Sequence, residues 1–450
     1  MRNDLIIGLD IGSSFVRAVI GRQMADNNLE ILSVGKSKTV GHIINGDIVN
    51  INKTSAAISE ALKNISSTIE GKNNDYYFSS NISGSHIKVN SFSISQAREN
   101  QITPVSEQEL INLINKAKKS SLENYSCVLH TLPIGFQVEN LPETLEPIGQ
   151  IGSRIKADFI VVSADQDKNE VLKQCLISAQ SEHLKTGNIY YSPLATASAV
   201  LSNEEKQLGV VLVDIGSGTV EISIYTKNRL RHSTVINWGG DQITEDIQIG
   251  LNVSLEHAEA LKTKFGSALS KEIEINEVVM IPGIAGRKPT PISVKNLAII
   301  IEERLKELAA IVMVEISKVT EPLLLKGGIV LSGGGAQLPD IAELIQKITG
   351  LESRIGEPMA SASTAQLEAE IKDPSYATAV GLVKVYFEQL NQPDTEEEIL
   401  EEATPVAFVP GQIPTVPKKP KGPSFKDLLK KTVEVLMGSN EEQDSYPDEK

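Results

Sequence analysis

The sequence predicts an α/β fold of two similar lobes facing one cleft, with a smaller α+β subdomain inserted in the first lobe. Three observations lead there. The run Leu9-Asp10-Ile11-Gly12-Ser13-Ser14 returns as Val213-Asp214-Ile215-Gly216-Ser217-Gly218, 204 residues later. The match continues along the flanking strands, where Val16 and Ile20 answer Val220 and Ile224. Between the copies, residues 86–162 leave the α/β rhythm and resume it afterwards. One Asp-x-Gly-Ser turn is explained by a glycine-containing hairpin; two copies in matching strand contexts point to two related lobes.

Composition sets the outer bounds. A chain of 450 residues has room for several domains, and 40% apolar residues suit a globular protein. A net charge of -15 argues against general nucleic-acid binding. Cys127 and Cys175 lack metal or redox spacing and read as free thiols of a reducing compartment. The six histidines are scattered without ligand spacing. No stretch approaches the ~20 apolar residues of a membrane-spanning helix. The N-terminus enters a strand almost at once, leaving no place for a signal peptide.

The elements follow in order. Residues 5–11, 15–21 and 29–35 read as a meander, and 55–70 as a helix with Ala57, Ile58, Ala61, Leu62 and Ile65 on one face. The insert reads as strand 87–95, helix 107–119, strand 126–132 and a Pro/Gly-punctuated stretch, 133–153. Strand 158–163, helix 167–181 and a short helix, 192–201, lead into strand 208–214. Residues 241–265 and 295–318 read as helices with an irregular section between them. Strand 327–331, helix 339–349 and helix 374–389 complete the core. The predicted boundaries are 1–85 with 163–200 for lobe 1, 86–162 for the insert, 201–241 with 319–390 for lobe 2, and 242–318 for its outer subdomain. Residues 391–423, acidic and then proline-rich, read as a disordered linker. Segment 424–438 reads as an amphipathic helix and 439–450 as an acidic tail.

The turns carry the chemistry. Gly12 and Gly216 let the backbone approach an anion, Ser13, Ser14, Ser217 and Thr219 offer hydroxyls, and successive N–H groups, Gly218 included, form an anion nest. Asp10 and Asp214 would bind a hard Mg²⁺ ion through its waters rather than touch phosphate. A third element, Ser332-Gly333-Gly334-Gly335-Ala336, runs from strand to helix and lets a flat base or ribose lie on backbone. Gly239-Gly240-Asp241 and the Glu259/Lys262 pair fit around it. The ligand so described is a nucleotide.

The order of these motifs resembles the actin, heat-shock chaperone and sugar kinase superfamily, whose lobes are duplicated ribonuclease-H-like units. Within it the chain is most similar to the FtsA family of bacterial cell-division proteins. Arg231-His232-Ser233, Lys264-Phe265-Gly266, Arg354-Ile355-Gly356 and Ser375-Tyr376-Ala377-Thr378-Ala379-Val380-Gly381-Leu382 carry that likeness. It implies subdomains 1A, 1C, 2A and 2B for the core segments above, with 1C as the insert. It implies ATP with Mg²⁺, self-assembly into filaments, and capture of the C-terminal peptide of FtsZ on 2B by Arg304 and Lys295. It also implies recruitment of later division proteins through the insert. Two departures stand out. Phe15 occupies the place of a family lysine, with Arg17 on the same strand face as its substitute. The stretch Tyr191-Ser192-Pro193-Leu194-Ala195-Thr196 lacks a Glu or Gln to orient water, so hydrolysis is expected to be slow, with Glu221 or another cleft carboxylate as the feature that would overturn this.

In the C-terminal segment Phe425, Leu428, Leu429, Val433 and Leu436 share one helical stripe. Residues 418–437 hold six lysines against Asp427 and Glu434, which suits the anionic cytoplasmic leaflet. The expected location is therefore peripheral, on the cytoplasmic face of the cell membrane at the division site. A PilM-like pilus-assembly protein and a small-molecule kinase share the cleft, but neither gains from a tethered helix. A chaperone lacks support, because no β-rich peptide-binding domain follows the core.

Overall fold

The computed structural model describes residues 5–25, 28–65, 76–99, 101–122, 126–179, 184–273, 277–282, 288–319 and 325–390. The segments read as linker, amphipathic helix and acidic tail lie outside them.

Two sheets built on the same plan frame the core. In lobe 1 the strands Ile6–Ile11, Phe15–Gln23 and Leu29–Lys38 form the antiparallel meander. Parallel strands Tyr76–Ile82 and Leu184–Tyr191 extend it on one side, and Ser361–Ala362 closes the other. In lobe 2 Val210–Ile215, Val220–Thr226 and Arg229–Ile236 repeat the meander, with Ile329–Ser332 and Ser353–Ile355 added in parallel. Both sheets are packed on two faces, so their first strands read as apolar runs rather than alternating ones. One apolar core fills lobe 1 and continues onto one face of the lobe 2 sheet at Val210, Leu212 and Val330, and a second lies on the other face, at Val211, Val213 and Leu331.

Two helices cross behind the cleft. Ser192–Val200 connects the lobes, and Ala377–Leu390 packs across it and onto the first strand. A Cβ on Gly381 would stand 1.9 Å from the Ala195 carbonyl oxygen, so only glycine permits this crossing.

The insert is a three-stranded antiparallel sheet with the long strand Arg154–Asp165 between Lys88–Ala97 and Ser126–Val138. Helix Glu107–Ser121 covers it, begun by a capping box of Ser106 and Glu109. Its core centres on Phe136 and Phe159, edge to face at 5.8 Å, each contributing about 1.5–3 kcal/mol by burial.

Several elements differ from the sequence reading. The first helix is Ile51–Asn64, because the Asn50 side chain accepts from the Lys53 N–H and caps it early. Strand Ser126–Val138 runs on through Pro133; it is an edge strand with bulges, where a missing donor costs little. The predicted helix 241–265 is two helices, Gly240–Leu251 and Leu255–Phe265. Asn252 adopts a left-handed φ of 51° between them, and Ser254 caps the second. The irregular section before Val294–Ser317 holds a hairpin, Val278–Ile281 with Thr290–Ser293.

Candidate functional site

The two Asp-x-Gly-Ser turns are the same object. Gly12 N–H donates to the Phe15 carbonyl at 3.0 Å, and Gly216 N–H to that of Thr219 at 2.9 Å. Each closes a hairpin that sets its aspartate opposite the seventh residue on: Asp10 pairs with Arg17, and Asp214 with Glu221. The two turns meet across the cleft. A Cβ on Gly218 would lie 3.0 Å from Ser13 Oγ and 3.0 Å from the Asn45 nitrogen.

Asp10 and Asp214 are buried, each at 9% exposure. Asn81 donates to Asp10 at 2.8 Å, and Arg17 stands 3.9 Å from its other oxygen. Thr196 donates to Asp214 at 2.9 Å, seconded by Thr378 at 3.4 Å. Burial pushes the Asp10 carboxyl up to about 7, against the pull of Arg17, and the Asp214 charge adds to the rise. Burial likewise raises Asp214 to about 6, opposed by its threonine donors. Glu221 is raised well above the usual carboxylate range, first by burial and then by Asp214. Ser83 donates to one of its oxygens, while Oε2 has no hydrogen-bond partner among the described residues.

Arg17 lies beside this cluster, its guanidinium 5.2 Å from the Phe15 ring and 5.6 Å from that of Tyr376. Its buried Nε has no partner among the described residues. Lys36 pairs with it across the next strand, and its ammonium sits 4.2 Å over Phe15. Thus Phe15, where a lysine was expected, carries two cations against its ring instead of one on its own chain.

The remaining loops gather on the second turn. Gly240 N–H donates to Gly216 O at 2.9 Å and Asp241 N–H to Ser217 O at 2.8 Å. Lys262 reaches Gly240 O at 2.9 Å, Thr244 at 2.7 Å and Glu259 at 2.7 Å. Burial raises Asp241 to about 6, countered by Lys262. Gly333, at φ 80°, would place a Cβ 2.2 Å from Asp214 Oδ1, and Gly335 one 2.4 Å from Ile215 Cγ2. Gly334 alone of the three faces space, with nothing nearer its Cβ position than Ser375 at 4.0 Å. The triple glycine is therefore mostly a packing requirement of the second turn, with one open position. Ala336 is buried and borders a cavity of about 440 Å³, walled also by Leu338, Ile341, Ile355 and Pro374.

The structure thus brings together all the residues read as a nucleotide site. Ser14 stays at the turn, where its carbonyl accepts from Thr39 N–H. Asn81, Thr196, Thr378, Thr244 and Lys36 were not read as site residues; none belongs to a turn motif, and only strand and helix packing delivers them. Arg304 and Lys295 lie apart, on Val294–Ser317. Arg304 is held by both Asp246 oxygens and by Glu307 at 2.7 Å. Nine positions at 100° each put Lys295 on the opposite side of that helix. Phe425, Leu428, Leu429, Val433 and Leu436 lie outside the described residues.

Two duplicated lobes with paired acidic turns define the actin-like class. MreB5 of Spiroplasma citri, solved bound to ADP, superimposes with TM-score 0.52 at 14% identity, covering 86% of this chain and 97% of that one. The PilM–PilN type IV pilus biogenesis complex does so with TM-score 0.59 at 17% identity, covering 86% of this chain and 99% of the matched chain. Sequence narrows the class. The family model for cell division protein FtsA matches residues 211–381, and that for the SHS2 domain inserted in FtsA matches 84–163. Cell division protein FtsA of Pseudomonas aeruginosa is 32% identical over 380 residues, 84% of this chain and 88% of that one. Its Escherichia coli counterpart is 29% identical over 391 residues, covering 84% and 89%. The chain belongs to the FtsA family of cell-division proteins.

Proposed function

We propose that this protein binds ATP with Mg²⁺ in the cleft and works as a membrane-held scaffold for the division machinery. One observation carries the nucleotide reading: two equivalent turns bring Asp10 and Asp214 into a single buried site, each paying a desolvation cost that a cation would relieve. Two hard carboxylates suit a magnesium ion that keeps its water shell. Arg17, whose Nε has no partner among the described residues, meets phosphate in the role of the missing lysine. Gly334 offers a base or ribose an open backbone position.

Turnover in this reading is slow. Glu221 is the carboxylate beside Asp214, but burial shifts it toward its neutral form, and a neutral acid is a poor general base. Residues 191–196 supply Thr196, which is engaged with Asp214.

The remaining parts follow the family. Phe425, Leu428, Leu429, Val433 and Leu436 insert into the cytoplasmic leaflet; the core self-assembles with ATP; Arg304 and Lys295 receive the acidic C-terminal peptide of FtsZ; and the insert engages later division proteins. For Arg304 the peptide must compete with Asp246. The family relatives favour this reading over pilus assembly or sugar phosphorylation.

Co-sedimentation with anionic liposomes, with and without Mg-ATP and the FtsZ tail, tests the scaffold. The full chain is expected in the pellet, and to carry the tail peptide with it. Leu429→Glu is expected to leave the protein folded and in the supernatant. Equal pelleting of that variant would sink the membrane assignment.

A further inference from the structure

The insert leaves lobe 1 after Ile82 and returns at Asp165, and both crossings meet one short hairpin of the cleft. That hairpin pairs Ile43–Ile44 with Asp47–Ile48 and turns at Asn45 and Gly46, with φ of 51° and 81°. Its tip reaches both Asp-x-Gly-Ser turns. Gly46 N–H donates to Ser13 Oγ at 3.3 Å, and Asn45 is the close neighbour of Gly218.

The other side of the tip packs on the root of the insert. Gly46 and Gly84 stand back to back, and a Cβ on Gly46 would lie 2.8 Å from Gly84 Cα. Gly84 itself has φ 138°, open to glycine and strained for other residues. Beside them Asp47 Oδ1 lies 3.2 Å from His86 Nδ1, and Asp47 Oδ2 3.1 Å from Lys168 Nζ in the helix that follows the insert. Ser83, one residue before Gly84, donates to Glu221 of the second turn.

This joint is loosely satisfied. Both His86 nitrogens and Asp47 Oδ1 are buried without a hydrogen-bond partner among the described residues; the 3.2 Å approach is not aligned as a bond. A cavity of about 30 Å³ lies among Ile11, Asp47, Asn81, Ser83, His86 and Lys168, large enough for a water or two. Polar groups with unmet bonds and space to move permit a second arrangement at small cost. The insert is also tied to lobe 2 directly, where Glu143 pairs with Arg229, and through lobe 1's Tyr191, whose N–H donates to His130 Nε2 at 3.0 Å and whose hydroxyl bonds Ser233 of lobe 2 at 2.9 Å. A motion of one lobe against the other must therefore be taken up by the insert or its root.

We propose that the Ser83–His86 root, wedged against the Asn45–Gly46 tip, is a coupling joint that turns occupancy of the cleft into a change in the insert's orientation. A ligand between the two turns displaces the tip from Ser13 or Gly218; the tip displaces Gly84; and the strand that starts at Lys88 moves with it. The inference rests on the nucleotide reading above and deepens it.

Hydrogen exchange of the full chain tests it, with Mg-ATP binding measured separately by a fluorescent analogue. Mg-ATP is expected to change exchange in Lys88–Ala97 and Glu107–Ser121 by about fivefold or more, the lower end of ordinary coupling energies. Gly84→Ala and, more gently, His86→Ala are expected to remove that response while the analogue still binds. Binding without any change in the insert, or an unchanged response in both variants, overturns the joint. Failure of the wild-type chain to bind the analogue overturns the nucleotide reading, and the joint with it.

Discussion

The two hairpins that face the cleft share a backbone and differ in charge. Both are closed by the same glycine-to-carbonyl bond, and both set an aspartate opposite the seventh residue on. In the first, the cross-strand row runs Asp10, Arg17, Lys36; in the second it runs Asp214, Glu221, Val235. A duplicated turn therefore preserves where a side chain points, not what it carries. The first hairpin carries positive charge, and the second adds a carboxylate that burial shifts toward its protonated form. The acids of both lobes share one buried volume, so each cation and each proton there is felt by all of them.

Making the first row resemble the second should have the largest effect. Arg17→Glu would add a fourth buried carboxylate to the cluster. It is expected to destabilise the protein by about 3–5 kcal/mol, the cost of an unpaired buried charge. Mg-ATP affinity should fall by about 100-fold or more, about 2.7 kcal/mol or more. Urea melts and a fluorescent-analogue titration check both; a variant that still binds would show that Lys36 suffices.

The next effect is in pH. The Asp10 carboxyl titrates near 7 in the folded protein and ordinarily at 3.8. Between those values the native state holds the extra proton, so stability without ligand falls as pH rises through this window. A loss on the order of 2 kcal/mol between pH 5 and 7 is expected, given about 1.4 kcal/mol per unit. Asp10→Asn should lessen that slope, Asp214 and Glu221 keeping the rest of it, and raise the melting temperature at pH 7 while weakening Mg-ATP. A wild-type profile that rises with pH over this range would contradict the raised carboxyl.

The smallest effect sharpens the role of the second row. Burial shifts Glu221 toward its neutral form, which glutamine resembles, so Glu221→Gln should alter ATP turnover by no more than about threefold. General-base catalysis contributes typically about 10²–10⁴-fold. A large drop would mean that Glu221 works ionised, and the expectation of slow hydrolysis would need another cause.

Legibility in the sequence varied with the range of the interaction. The turns were readable because a tight hairpin closed by a glycine N–H repeats the same residue types at fixed offsets. The meander was readable from its apolar runs. Tyr76–Ile82 and Leu184–Tyr191 were not, because parallel strands joined through a whole inserted subdomain have no local signal. The break at Asn252 was missed because one left-handed residue barely disturbs an apolar period. Thr196 and Thr378 are ordinary helix residues until two helices cross behind Asp214.

By itself the sequence determined the two lobes, their turns, the acidic pair and the family likeness, because each is written in residues a few positions apart. The tertiary structure alone decided which side chains stand against those acids, why two of three glycines are packing requirements, and that one hairpin joins cleft to insert. The reason is physical: burial, desolvation and close backbone approach depend on distances between segments far apart in the chain, and local residue pattern does not encode them.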